Sequence, residues 1–354
     1  MQSPNSGFDC LVVGGGPAGL TAALYLARFR RSVRVMDASA GRALLIPTSN
    51  NYPGFPDGIS GVDLIGRLRA QSRKYGADLM AGHVDAVARD GDGMFRVDCG
   101  SETMVARNIL FATGVVDVEP ELPDVKDAIR TGLVRHCPIC DGYEVIDQKV
   151  AVIGGGSHGV KEARFLRHYT QALTLFTPGG REHIGQEDRA ALHRDGIKIV
   201  DETLIKVDAK AGAIVGLTTA GGETYRFDTI YSVLGCNARS QLPRMLGAAC
   251  DGRGQVIVDE HLRTSVPNVY AAGDVANDLN QIAVAAGHAA IAATAIHNSL
   301  RHMLLNGPLH RLANDERPIR RPARPATQGT LTTALSPAGV QTPSRQLHIS
   351  RVRS

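Results

Sequence analysis

The 354-residue sequence contains no apolar run long enough to span a membrane as a helix. It has no basic stretch ahead of its first apolar segment. MQSPNSGFDCLVVGGG runs straight into glycines, which reads as a first strand and not as a signal peptide, so a cytoplasmic protein is expected. It also lacks a basic face on its main part. The formal net charge is +4, but residues 306–354 carry eight arginines against two acids, a net of +6. The other 305 residues are therefore near −2, which gives no reason to expect a nucleic-acid partner. Finally, it lacks a second cysteine pair. Of the cysteines at 10, 99, 137, 140, 236 and 250, only 137 and 140 are close in sequence, and the other four read as buried free thiols.

What is present is the composition of a globular chain, 43% hydrophobic and 21% charged, with length for about two domains. Phe8–Val13 reads as a strand, GGGPAGLTAALYLARF as a glycine turn entering a helix, and SVRVMDA (32–38) as a second strand. A long Gly/Pro/Asn-rich loop (41–61) leads to a helix over about 62–75, then to short strands closing on NILFATG (108–114). The pattern restarts at QKVAVIGGGSHGVKEARFLRHY (148–169), with ALTLFT (172–177) and DTIYSVLG (228–235) repeating the earlier roles. Segment 254–277 reads as two strands and a turn, and 281–304 as one alanine-rich helix. The fold class is α/β, with two dinucleotide-binding units. From residue 306 the proline-rich, aperiodic sequence reads as a disordered tail.

Gly14-Gly15-Gly16-Pro17-Ala18-Gly19 fits G-x-G-x-x-G with strand before and helix after. Such a turn brings backbone N–H groups and a helix N-terminus to a pyrophosphate. Asp37, ending the second strand, is placed to accept from ribose hydroxyls. Asp274, after the apolar strand in TSVPNVYAAGD, can accept from a ribityl hydroxyl, although a plain turn-capping role also suits it. Together the two favour FAD. The second motif, Gly154-Gly155-Gly156-Ser157-His158-Gly159 with Glu162 behind, has the same construction and suits a nicotinamide dinucleotide. Its strand end, LTLFTPGGREH, offers no acid for a 2′-hydroxyl and only Arg181 for a 2′-phosphate.

HCPICDGYE (136–144) holds the cysteine pair. Zinc needs four ligands, and neither a second pair nor a suitably spaced histidine pair accompanies this one. A structural disulfide is a poor match to a reducing compartment. A redox pair suits both spacing and compartment. At a helix start, Pro138 would pre-set the first turn, and free N–H groups would stabilise a thiolate. Asp141 can then serve as general acid to the leaving thiolate.

Two glycine motifs, a C-x-x-C-D-G in the second unit, and a closing G-D with an alanine-rich helix resemble the low-molecular-weight thioredoxin reductases. Within these the chain is most similar to a subgroup with C-P-x-C-[DH]-G-[YFW]-E. The resemblance covers residues 8–303. It implies two Rossmann-like three-layer domains: an FAD domain from 1–117 and 250–305, and an inserted NAD(P)H-type domain, 118–249, that carries the disulfide and rotates. It implies that Cys140 faces the flavin, that Cys137 attacks the substrate disulfide, and that Asp141 is the acid. It further implies flavin contacts from Arg42, Asn51, Val84, Ala112-Thr113-Gly114, Asp274 and Gln281-Ile282-Ala283, with Gln281 replacing the family's arginine. The NADPH users of the family carry His-Arg-Arg where this chain has Thr177-Pro178-Gly179-Gly180, so NADPH, NADH and other donors stay open.

The implied activity is reduction of thioredoxin or another disulfide by NAD(P)H through FAD, in a homodimer. Two alternatives remain: a dithiol oxidase passing electrons through FAD to oxygen, and a flavin-bound redox sensor.

Overall fold

The computed structural model describes residues 7–120, 125–177, 184–210, 213–277 and 279–306. The tail beyond residue 306 lies outside them. The elements are β1 (Cys10–Val13), α1 (Pro17–Arg28), β2 (Val33–Asp37), α2 (Gly61–Lys74), β3 (Asp78–Ala81), β4 (Ala86–Arg89), β5 (Phe95–Cys99), β6 (Glu102–Ala106), β7 (Ile109–Phe111) and β8 (Val115–Asp117). Next come α3 (Val125–Arg130), β9 (Val134–Arg135), α4 (Pro138–Asp141), β10 (Val150–Ile153), α5 (Gly156–Leu166), β11 (Leu173–Phe176), α6 (Gln186–Arg194) and β12 (Lys198–Val200). The chain closes with β13 (Leu204–Lys210), β14 (Ala213–Thr219), β15 (Thr224–Tyr225), β16 (Thr229–Ser232), β17 (Cys236–Ala238), α7 (Gln241–Met245), β18 (Val269–Ala271) and α8 (Ile282–Asn306).

Two five-stranded parallel sheets organise the described residues. The first has the order β18-β7-β1-β2-β3, and the second β12-β11-β10-β16-β9. Successive residues of a strand face opposite sides, and strands β1, β7, β10, β11, β16 and β18 are buried on both. Cys10 and Val12 of β1 pack with α1 and α8, through Ala22, Leu26, Ala289 and Ile296. Leu11 and Val13 pack instead against the antiparallel β4-β5-β6 sheet, through Val87, Phe95 and Val97. The second sheet repeats the scheme. Val150 and Val152 meet Val160, Ala163 and Leu166 of α5. Ala151 and Ile153 meet the β13-β14-β15 side, at Leu217 and Phe227. The fold is therefore α/β with three layers built twice.

The chain returns to its start. β18 pairs with β7 next to β1, and α8 packs on α1 with its alanine face. The short ribbon β8-β17 joins the segments that lead into and out of the second sheet. Among the described residues no helix is long and apolar enough to cross a membrane.

One expected strand does not form. Segment 254–277 contains only β18, plus single bridges at Cys250–Val256 and Arg263–Tyr270. Asp251 Oδ1 accepts from the N–H groups of Arg253 and Gln255, and Asp259 Oδ1 from those of His261 and Arg263. Side-chain oxygens thus take donors that a ladder would need. The four unpaired cysteines also differ from one another. Cys10 is fully buried, whereas Cys99, Cys236 and Cys250 are only half-buried.

Candidate active site

The first glycine loop lies between β1 and α1 and lines a cavity of about 880 Å³. Gly14 has φ +115°, open to glycine at little cost, and a Cβ there would overlap the Ala112 carbonyl. A Cβ on Gly15 would overlap the Asp37 carboxylate, and one on Gly19 would overlap the Gly14 carbonyl. Gly16 meets nothing within 4 Å at its Cβ position and caps α1 without a side chain. The first-turn N–H groups of α1, with Pro17 at N1, have no intrahelical partners. This construction fits a pyrophosphate.

Ala18, Asp37, Arg42, Asn51, Val84, Ala112, Thr113, Gly114, Asp274, Gln281 and Ile282 share the same cavity wall. Gly19 sits behind it. Ala283 is exposed, and Ala285, at the same end of α8, lines the wall instead. Asp37 pairs with Arg69 at 2.6 Å and accepts from the Ser39 N–H.

Arg42 bridges two acids that the sequence keeps far apart. Its Nε donates to Asp117 at 2.6 Å, and its Nη1 lies 3.8 Å from Asp274. Burial works against the Arg42 cation, yet Asp117 overcomes it and the guanidinium is held above its ordinary value. Burial pushes the Asp274 carboxyl up to about 6, with Arg42 opposing and Asp117 reinforcing.

The cysteines form a disulfide on the same cavity. β9 is an edge strand paired with β16, and the register sets Arg135 beside Tyr231. Cys137, in extended conformation, then caps α4 with Pro138 at N1. The tight turn folds Asp141 back onto that pair. Tyr231 Oη donates to Asp141 Oδ1 at 2.8 Å, and Arg135 Nη1 lies 3.1 Å from Oδ2. Burial raises the Asp141 carboxyl above its ordinary value, while Arg135 and Tyr231 favour the carboxylate and limit the rise. His136 Nδ1 donates to the Ser232 carbonyl at 3.1 Å. Arg135 and Tyr231 carry no sequence signal as site residues, because only the parallel register makes them neighbours of Asp141.

Gln281 stands between the glycine-loop side of the cavity and the disulfide. Its Nε2 lies 3.4 Å from Cys137 Sγ and 3.3 Å from Cys140 Sγ. Its Oε1 accepts from Asn51 Nδ2 at 2.9 Å.

The second loop lies between β10 and α5. Gly155 caps α5 without a side chain. A Cβ on Gly159 would lie 2.7 Å from Gly154 C, and one on Gly154 2.6 Å from Val233 Cγ2, so helix and strand approach closely here. Gly156 begins α5, Ser157 is exposed, and Glu162 lies 4.0 Å from His158. The end of β11 meets an acid from the neighbouring strand. Asp201, just past β12, accepts from Thr177 Oγ1 at 2.9 Å and is paired with Arg189 at 2.6 Å. Pro178, Gly179, Gly180 and Arg181 lie outside the described residues.

A disulfide and a dinucleotide loop on one cavity, with a second glycine loop in the same chain, agree with the comparisons. The pyridine nucleotide-disulphide oxidoreductase family matches residues 8–289. The chain belongs to that family. Thioredoxin reductase of Listeria monocytogenes is 30% identical over 302 residues, 82% of this chain and 93% of that protein. Thioredoxin reductase of Mycolicibacterium smegmatis is 32% identical over 309 residues, 83% of this chain and 96% of that protein. Among solved structures, HlmI is similar with TM-score 0.80 and 30% identity, covering 86% of this chain and 96% of that one. Thioredoxin reductase from Streptococcus pyogenes is similar with TM-score 0.78 and 28% identity, covering 83% and 98%. As a pyridine nucleotide-disulphide oxidoreductase of the thioredoxin-reductase type, the protein is an enzyme that uses FAD and a nicotinamide dinucleotide.

Proposed function

We propose that the chain is an NAD(P)H-driven disulfide reductase whose Cys137–Cys140 pair passes electrons to thioredoxin or a related disulfide protein. The observation that carries this reading is the opening of the first glycine loop and the disulfide onto one cavity. In this reading residues 1–117 and 250–305 hold FAD, and residues 118–249 hold the nicotinamide dinucleotide and the disulfide. Bound FAD would supply the two-electron exchange between hydride donor and disulfide that no side chain can provide. Asp37 and Asp274 would accept from its hydroxyls, and the Gly14–Gly19 loop would hold its pyrophosphate. Cys140 is the sulfur on the cofactor side and Cys137 the one that attacks the substrate. Asp141 donates a proton to the sulfur that leaves. A homodimer in the cytoplasm completes the reading.

Purified protein, kept without oxygen, tests it. NADPH or NADH should bleach the flavin absorbance, and thioredoxin should be turned over. A Cys137→Ser protein should keep its flavin and lose that turnover, and full turnover by it would overturn the role of Cys137. The segment after β11, Thr177-Pro178-Gly179-Gly180, carries no basic cluster and supports a second reading, oxidation of a dithiol with oxygen as acceptor. Bleaching by a dithiol alone, with peroxide on readmitting air, would favour that reading over the first.

A further inference from the structure

The disulfide has hydrogen-bond donors that its own segment does not provide. α4 is four residues long, so it has little aligned dipole with which to hold a thiolate at its N-terminus. The charge that appears on sulfur when the disulfide opens needs another partner.

A directed chain of hydrogen bonds ends on these sulfurs. Ser49 Oγ donates to Asn51 Oδ1 at 3.2 Å, Asn51 Nδ2 donates to Gln281 Oε1 at 2.9 Å, and Gln281 Nε2 faces both sulfurs. The direction is fixed by chemistry. Disulfide sulfurs carry no hydrogen and can only accept, so the Gln281 nitrogen faces them, its oxygen accepts from an Asn51 N–H, and the Asn51 oxygen is left for the Ser49 hydroxyl. Each bond in such a chain polarises the next. Gln281 comes from the entry to α8 and Asn51 from the long loop before α2. The donor is therefore supplied from outside the segment that carries the disulfide.

We propose that Gln281, with its amide oxygen anchored by Asn51, is the neutral hydrogen-bond donor that stabilises the sulfur anion formed when the Cys137–Cys140 bond opens. The inference rests on the disulfide-reductase reading for its place in turnover. Cleavage takes up two electrons and one proton: the S–S bond breaks, one sulfur leaves as a thiol and the other as a thiolate. In that reading the electron pair would come from reduced flavin. Gln281 touches both reacting sulfurs and supports whichever one carries the charge. Because the amide carries no charge of its own, its support does not change with pH.

Alkylation of the reduced protein tests this without turnover. The full chain is reduced with a phosphine under argon and treated with iodoacetamide across pH. The Cys137 and Cys140 peptides are then quantified by mass spectrometry, apart from those of the other four cysteines. Iodoacetamide reads the thiolate. Gln281→Leu removes the donor at similar volume and should raise the midpoint by about one pH unit, or about tenfold slower alkylation below it. Gln281→Glu places a carboxylate there and should raise it further. Asn51→Ala frees the amide and should raise it by less, which keeps the test alive if a Gln281 variant folds poorly. A Gln281→Leu midpoint equal to that of the wild type in folded protein overturns the proposal. Wild-type protein without disulfide turnover would refute the functional reading instead, since the midpoint is read independently of it.

Discussion

Replacing Tyr231 by phenylalanine isolates one hydrogen bond at the acid behind the disulfide. Tyr231 is fully buried on β16, so the ring stays packed among Val150, Val152 and Leu166 and only the hydroxyl is lost. That hydroxyl's single proton is shared between Asp141 Oδ1 at 2.8 Å and the Asp141 carbonyl at 3.0 Å. Arg135 Nη1 stays 3.4 Å from the carbonyl and 3.1 Å from Oδ2, so Oδ1 bears the loss. A hydrogen bond to a charged acceptor is worth about 1.5–3 kcal/mol net, which corresponds to about one to two pKa units. Asp141 already lies above its ordinary 3.8 because of burial, and Tyr231→Phe moves it higher.

The sign follows directly. A proton donor works only below its pKa, so the alkaline fall in disulfide turnover should shift upward by about one unit or more in the variant. The stability contributed by the protonated form is complete below the unfolded value and is lost as pH rises through the raised folded one. Wild type therefore loses stability between 3.8 and that folded value, and the variant over a window reaching higher. Turnover of a disulfide substrate from pH 5 to 10 and urea unfolding at pH 4 and pH 8 check both. A turnover limb that stays in place, in a variant whose unfolding midpoint at pH 8 has fallen, would show that Asp141 is not the group that titrates in catalysis.

Gly15→Val should purify with little bound flavin. Its side chain overlaps the Asp37 carboxylate, and overpacking of about 1–3 kcal/mol means roughly 5- to 150-fold weaker binding, read from the ratio of flavin to protein absorbance. Flavin content equal to wild type would contradict the loop's close fit. Arg42→Met leaves Asp117 and Asp274 without their shared cation, at a cost of about 3–5 kcal/mol when both acids are charged. Since burial holds Asp274 at about 6 even with Arg42 present, removing the cation raises it further. Stability is then lost over a window from 3.8 to beyond 6, so the variant should be relatively worse at pH 8 than at pH 5. Equal losses by urea unfolding at the two pH values would refute the assignment.

The sequence alone determined the features held in contiguous residues. A glycine turn between an apolar strand and a helix is a local pattern, and both copies are found where the pattern stands, at β1–α1 and β10–α5. The strands buried on both faces, the alanine-rich α8, and Pro138 at the first turn behind Cys137 are equally local. Where local chemistry competed, the sequence misled. Segment 254–277 is apolar enough for two strands, but Asp251 and Asp259 satisfy its backbone donors in turns. Tertiary structure decided the rest, because a hydrogen-bond partner is selected by distance in space. Gln281 reaches the cysteines across 141 and 144 residues of chain. Arg42 joins Asp117 to Asp274 only once β18 has paired beside β7. Tyr231 and Arg135 meet at Asp141 because a parallel register sets them side by side, and Asp201 reaches Thr177 because β12 lies next to β11. The motifs therefore name the chemistry of the site, while the register of the sheets and the docking of α8 choose the groups that tune it.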